Sequence, residues 1–195
     1  MNQVITIGRE FGSGGHEIGL KLAQHLGIPF YDNEIISLAA KESNMAEKFF
    51  EQAEDNPPNR YFRPTYMVYE IPMSDQVFLS QSRVIKYLAE KGPCVIVGRC
   101  ADYVLSDHDT IDLFIYAPME ERIHRKLSMD IGVPAEKMEA HIKSVDKKRA
   151  KYYNYYTDNR WGEAKNYNLC INSGKIGVDG SVTLIEEYLR LFYEK

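Results

Sequence analysis

The apolar positions of the chain fall into short runs separated by helical stripes. Val4-Ile5-Thr6-Ile7 is a β-branched run leading into Gly8, Gly12, Gly14 and Gly15, which predicts a strand and then a glycine-rich loop. Ile18, Leu22, Ala23 and Leu26 then recur at helical spacing and stop at Gly27. Residues 28–31 read as a short strand ending at Asp32, and 34–41 as a second helix. With Ser74 expected as its N-cap, a third helix sets Val77, Gln81, Val84, Ile85 and Leu88 on one face, up to Lys91-Gly92-Pro93. Further strands are expected at 94–97, 111–116 and 168–172. Pro118 suits the first turn of a helix with the stripe Met119, Ile123, Leu127, Ile131, ending at Gly132. A long helix is expected over 135–156 and a last one over 182–192. Continuous apolar strands alternating with helices indicate a parallel sheet covered on both faces, a three-layer α/β fold.

Segment 55–73 breaks this pattern, with Pro57, Pro58, Pro64 and Pro72 set among Tyr61, Phe62, Tyr66 and Tyr69. It reads as an excursion, either a substrate-closing element carrying Arg60 and Arg63 or a plain surface loop. The 195 residues suit one domain, 1–195. Its average composition, 44% hydrophobic and 27% charged, is that of a globular protein. No apolar run approaches the roughly 18 residues of a membrane helix. The first residues show no basic leader or cleavage site, so a cytoplasmic location is expected. Cys94, Cys100 and Cys170 are too scattered for a disulfide framework or a zinc site. The net charge of −4 argues against a nucleic-acid partner. That average conceals residues 122–151, where nine Lys and Arg face four acids, a local +5. One basic segment in an acidic chain suits a small phosphorylated ligand better than a polymer.

A strand, a glycine-rich turn and a helix N-terminus in that order make an anion site, because unpaired backbone N–H groups converge there. Two readings compete for residues 8–19. A dinucleotide fingerprint needs a third glycine where Glu17 stands, although Asp32 lies where a ribose-binding acid belongs. A phosphate loop of the G-x-x-x-x-G-K kind fits in length, but Gly15 takes the lysine position, and Glu17 stands where the magnesium-binding hydroxyl is expected. A glycine-rich connection without ligand is the third reading.

Several ordered segments together resemble the cytidylate-kinase-like family, relatives of the nucleoside monophosphate kinases of the P-loop superfamily. Ile5-Thr6-Ile7 with Gly12-Ser13-Gly14-Gly15 is similar to the opening strand and phosphate loop, and Pro29-Phe30-Tyr31-Asp32 to the strand before the substrate-binding region. Val95-Ile96-Val97-Gly98-Arg99 is similar to the G-R-D segment, and Phe114-Ile115-Tyr116-Ala117-Pro118 with Glu121-Arg122 and Arg125 to a strand followed by a basic helix. Asp146-Lys147-Lys148-Arg149 stands in the place of the lid, within 134–160, and 167–173 in that of the last strand. The resemblance implies a P-loop fold with a five-stranded parallel sheet, helices on both faces and a helical lid. It implies phosphoryl transfer from ATP with Mg²⁺ to a nucleoside monophosphate or related phosphate acceptor. The alternatives are a catalytically degenerate nucleotide-binding or sensing protein on the same fold, and an NAD-type dinucleotide protein.

Under this resemblance, Gly12, Ser13, Gly14, Gly15, His16 and Glu17 are the expected phosphate-binding residues. Arg9 and His16 are the expected substitutes for the missing lysine charge, and Glu17 and Asp102 the expected magnesium ligands, Cys100 having replaced the acid of G-R-D. Asp32, Arg99, Arg122 and Arg125 are expected at the acceptor; N-capping for Asp32 and ion pairs for the arginines are their structural alternatives. On the 135–156 helix, Arg149 falls inside the stripe Met138, Ile142, Val145, Tyr152, Tyr156, whereas Lys147 projects away. An arginine on an apolar face needs an anion, so Arg149 is expected to grip phosphate or a core carboxylate. Lys147, Lys148 and Lys151 read as solvated charges. The tyrosines of 152–156 suit base stacking, core packing or a homodimer interface.

Overall fold

The computed structural model describes residues 3–43, 52–53 and 72–194. Among these residues five strands form one parallel sheet in the order β2-β3-β1-β4-β5. They are β1 (Val4–Arg9), β2 (Phe30–Tyr31), β3 (Val95–Val97), β4 (Thr110–Tyr116) and β5 (Leu169–Asn172). The helices are α1 (Gly15–Leu26), α2 (Glu34–Ser43), α3 (Met73–Glu90), α4 (Ala101–Val104), α5 (Met119–Ser128), α6 (Ala135–Thr157) and α7 (Ser173–Tyr193). β1 is central, with Ile7 level with Val97 on one side and with Leu113 on the other.

Alternation along the strands divides the core. Ile5, Ile7, Val95, Val97, Ile111, Leu113 and Ile115 pack with Ile18 and Leu22 of α1 and Val182 and Ile185 of α7. Val4 and Ile96 point the other way, to Ile35, Ala39, Val77, Ile85 and Leu88 of α2 and α3. Both faces are covered, which is why the strands read as unbroken apolar runs. The chain leaves β1 toward the β2 edge and leaves β3 toward β4. The carboxyl ends of these two neighbours therefore open on the crevice where parallel α/β sheets hold ligands.

Several boundaries differ from expectation for local reasons. α3 begins at Met73, because Pro72 with its fixed φ sets the entry, and Ser74 lies inside the first turn without capping. α7 begins at Ser173, well before 182, and kinks at Gly177, whose φ of 72° is open to glycine; the kink broke the periodic signal. α4, four residues long, is too short to show a period. α5 stops at Ser128 and is rotated relative to its apolar stripe: Leu127 is 40% exposed, and Arg122 is the buried residue of the helix. Of segment 55–73, Pro72 and Met73 belong to the described residues, and the rest of that expectation lies outside them.

Ile7 is fully buried at the middle of the sheet. Ile7→Ala is expected to lower the unfolding free energy by about 3 kcal/mol, measured by urea denaturation.

Candidate phosphate-binding site

The loop between β1 and α1 is anchored at both ends. The Glu10 N–H donates to the Ile115 carbonyl at 3.0 Å, and Ser13 Oγ donates to the Glu10 carbonyl at 2.9 Å. Ser173 Oγ in turn donates to the Ser13 carbonyl at 2.6 Å, tying the loop to the start of α7. Gly12 and Gly14 have φ of 84° and 83°, so the loop turns tightly into the N-terminus of α1.

Arg9, the last residue of β1, runs back across this turn. A β-carbon on Gly15 would lie 2.5 Å from Arg9 Cβ, and one on Gly98 would overlap the Arg9 guanidinium. Two glycines at the ends of different elements thus make the channel that one arginine fills. Its Nη2 donates to Asp32 Oδ1 at 3.3 Å, and the other oxygen of Asp32 meets His16 Nδ1 at 2.7 Å. Asp32 is 5% exposed, whereas more than half of the His16 side chain faces solvent. Arg149 Nη1 donates to the Arg9 carbonyl at 3.0 Å, so the expected helix-borne arginine does reach the loop. Arg9, Arg99 and Arg149 line one cleft of about 300 Å³, together with Lys148, Asn33 and Asp102.

This cluster is electrostatically unusual. Burial lowers the pKa of Arg9, opposed by Asp32; burial and then Arg9 lower that of Arg99 to about 10 and that of Arg149 to about 9. The cleft lining thus sets three guanidinium groups and Lys148 against the single carboxyl of Asp102. Arg99 and Cys100 follow Gly98 in left-handed backbone, with φ of 59° and 55°. Such a conformation costs a side-chain-bearing residue about 1 kcal/mol or more, and here it turns Arg99 off the end of β3 into the cleft.

Arg122 and Arg125 lie elsewhere. Arg122, 4% exposed, donates through Nε to the Phe11 carbonyl at 2.8 Å, pairs with Glu10 at 3.1 Å, and is hydrogen-bonded to Asp146. Asp146 Oδ1 also accepts the Phe11 N–H at 2.8 Å. The expected acceptor contact of Arg122 is thus a buried latch between the loop and α6, because carboxylates from both sides converge on it. Arg125 Nη1 donates to Glu17 Oε2 at 2.9 Å, with its guanidinium carbon 3.2 Å from where a β-carbon on Gly14 would sit. It borders a smaller cleft of about 220 Å³ at Gly12, Ser173 and Gly174.

The far end of the larger cleft is aromatic. Tyr152, Tyr153, Trp161 and Tyr167 line it with Asp102. Tyr152 and Tyr153 are buried, with hydroxyls donating to Gln81 Oε1 at 3.1 Å and to Asp102 Oδ2 at 2.6 Å. Glu17 and Asp102, the expected magnesium pair, are not brought together: one is tied to Arg125 and the other to Tyr153. Among the described residues no three His, Cys, Asp or Glu side chains are grouped as a metal site would need.

Sequence reasoning missed Lys148, which lines the cleft, and the pairing role of Asp146 and Glu10. Asp146 lies three residues before Arg149 and so shares its helix face, a spacing that would have placed both at the loop.

Burial raises the Asp102 carboxyl to about 6, against the Tyr153 hydrogen bond. The unfolded chain releases this proton near pH 4, so between about pH 4 and 6 the native state binds the extra proton and stability falls as pH rises. Asp102→Asn keeps an acceptor for Tyr153. Its unfolding free energy relative to wild type is expected to increase by about 2 kcal/mol from pH 4 to pH 7, measured by urea denaturation at each pH.

The chain is similar to known proteins in sequence and in fold. A family model described as the cytidylate kinase-like family matches residues 4–175. A protein described as cytidylate kinase, from Methanopyrus kandleri, is 29% identical over 161 residues, covering 77% of this chain and 74% of its own. The crystal structure of an uncharacterized protein from Eubacterium ventriosum superimposes with a TM-score of 0.72 at 32% identity, covering 96% of this chain and 98% of that one. Shikimate kinase from Bacteroides thetaiotaomicron shares the fold with a TM-score of 0.60 at 13% identity, covering 97% and 99% of the two chains. With this match along most of its length and the sheet order and glycine-rich loop described above, the chain belongs to the cytidylate kinase-like family, phosphotransferases on the P-loop kinase fold.

Proposed function

We propose that the chain is a nucleotide kinase that transfers the γ-phosphoryl group of ATP to a nucleoside monophosphate or related phosphate acceptor, with Arg9 in the role of the loop lysine. The supporting observation is the packing of Arg9 against Gly15: the residue that displaces a side chain at the lysine position is itself a cation, held in place by Asp32. The chemistry needs little more than positioning and charge. An acceptor oxygen attacks the γ-phosphorus in line as the bond to the bridging oxygen breaks and ADP leaves. Loop N–H groups and the α1 N-terminus hold the donor phosphates, while Arg9 and Arg149 meet the charge that builds on the transferring group. Arg99, turned into the cleft from β3, faces the acceptor phosphate, and Lys148 adds to the same field. The aromatic end of the cleft takes the remainder of the acceptor.

The expected magnesium ligands do not fit that ion as they stand, since Glu17 and Asp102 are separately engaged, and no step is assigned to it. A nucleotide-binding protein without turnover on the same fold is the second reading, and it rests on the absent lysine.

The exchange is testable by reciprocal substitution. Arg9→Ala is expected to lower kcat/KM for ATP-dependent turnover by about a hundredfold or more, assayed across a panel of monophosphates. Gly15→Lys alone should be equally impaired, because its β-carbon meets Arg9. The double variant Arg9→Ala/Gly15→Lys should recover part of the loss, and activity no better than that of Arg9→Ala would refute the exchange. Arg149→Ala is expected to lower kcat more than it raises the KM for ATP, in steady-state assays; unchanged turnover would exclude it from the reaction.

A further inference from the structure

The loop lacks the lysine and the magnesium-binding hydroxyl of a phosphate loop, with Gly15 and Glu17 in the places expected for them, and the structure sets an arginine beside each. Arg9 lies against Gly15, oriented by Asp32. Arg125 lies against Gly14, oriented by Glu17 at 2.9 Å. The two side chains reach the loop from different elements, the end of β1 and the last turn of α5, and each is held by a carboxylate. Glu17 stands where a hydroxyl would coordinate a divalent cation on the donor phosphates, but its carboxylate serves as the anchor of a guanidinium. The other carboxylates around the loop are also taken: Glu10 and Asp146 by Arg122, and Asp32 by Arg9 and His16. A divalent ion brought to Glu17 would meet Arg125 as a like charge.

We infer that this loop takes a nucleoside polyphosphate as the free anion, with Arg9 and Arg125 supplying the positive charge that a lysine and a divalent cation supply in a lysine-bearing phosphate loop. The inference rests on the kinase reading above, in that the loop must hold the donor's phosphates. Guanidinium groups suit the task because each offers several donors in one plane to phosphate oxygens and needs no coordination sphere. The arrangement also explains why both departures occur in one chain. A lysine at 15 would collide with Arg9, and a hydroxyl at 17 would leave Arg125 without its anchor.

Calorimetric titration of the full chain with ATP, once in EDTA and once in excess magnesium chloride, tests this. Dissociation constants within about threefold of each other are expected. Binding at least about tenfold tighter with magnesium, or seen with magnesium alone, overturns the inference and leaves the kinase reading in place. No binding under either condition overturns both. Arg125→Gln, with its fold checked by circular dichroism, is expected to weaken ATP about tenfold in EDTA and less with magnesium, which then takes over part of the screening. Equal weakening in both conditions, or none, removes Arg125 from the role.

Discussion

A single guanidinium determines how four elements meet. Arg9 ends the central strand, and its side chain passes between Gly15 at the head of α1 and Gly98 behind β3 to reach Asp32 after β2. A charge buried in this way is tolerable when it is paired, and removing one partner of such a pair costs about 3–5 kcal/mol. Asp32 is therefore tied to Arg9 as firmly as the glycines are. The carboxyl ends of β1, β2 and β3 lie side by side because the strands pair in parallel, and this one side chain touches all three. Arg99 and Arg149 are then added beside it with their charges retained, an arrangement that costs the ligand-free protein stability. An anion entering the cleft offsets that cost, so the same charges that weaken the free fold favour the bound one.

The loop itself is shaped without a ligand. Arg122 draws Glu10, the Phe11 carbonyl and Asp146 to one point, and Asp146 also receives the Phe11 N–H. The Phe11 ring lies edge-on to His141 and under Lys126, so apolar and charged contacts agree on the same loop position. Because α6 carries both Asp146 and Arg149, this helix reaches the glycine-rich loop through two contacts on one face. Donor groups fixed beforehand lose little freedom when charge develops, which is what electrostatic stabilisation of phosphoryl transfer requires.

Much of this was legible in the residues because strong periodic patterns have few solutions. The apolar runs of β1, β3 and β4 and the stripe of α6 appear where expected, including the inward Arg149 and the outward Lys147. The parts that were not legible depend on pairings between distant positions. That Gly15 and Gly98 serve one arginine requires β1, α1 and β3 to be adjacent, which no local pattern encodes. Arg122 and Arg125 stand three apart on one helix and are alike in sequence, yet one is a buried latch and the other a loop-facing cation. Their difference arises from the rotation of α5, whose apolar stripe misled because half of it faces solvent. Lys148 was read as solvated because its neighbours Lys147 and Lys151 are, and a cleft wall is invisible to charge-run reasoning.

The replacement of the G-R-D acid by Cys100 follows the same logic of burial. Cys100 is 5% exposed and packs with Tyr152 and Tyr153, in left-handed backbone that turns its side chain inward. A carboxylate there would enter an aromatic cluster and lose its hydration, whereas a thiol behaves as a small apolar group. A carboxylate does occur two residues later, Asp102, where the Tyr153 hydroxyl reaches it and the cleft gives it partial access. Even there burial keeps its proton bound to about pH 6, which shows how little further a carboxylate could retreat into this wall. The strained turn Gly98-Arg99-Cys100 thus performs two placements at once: it sends a cation forward into the cleft and an apolar anchor back into the core. Reversing the two residues would bury the guanidinium among tyrosines and leave the thiol facing the cleft, so their order follows from the same need to keep charge out of the core.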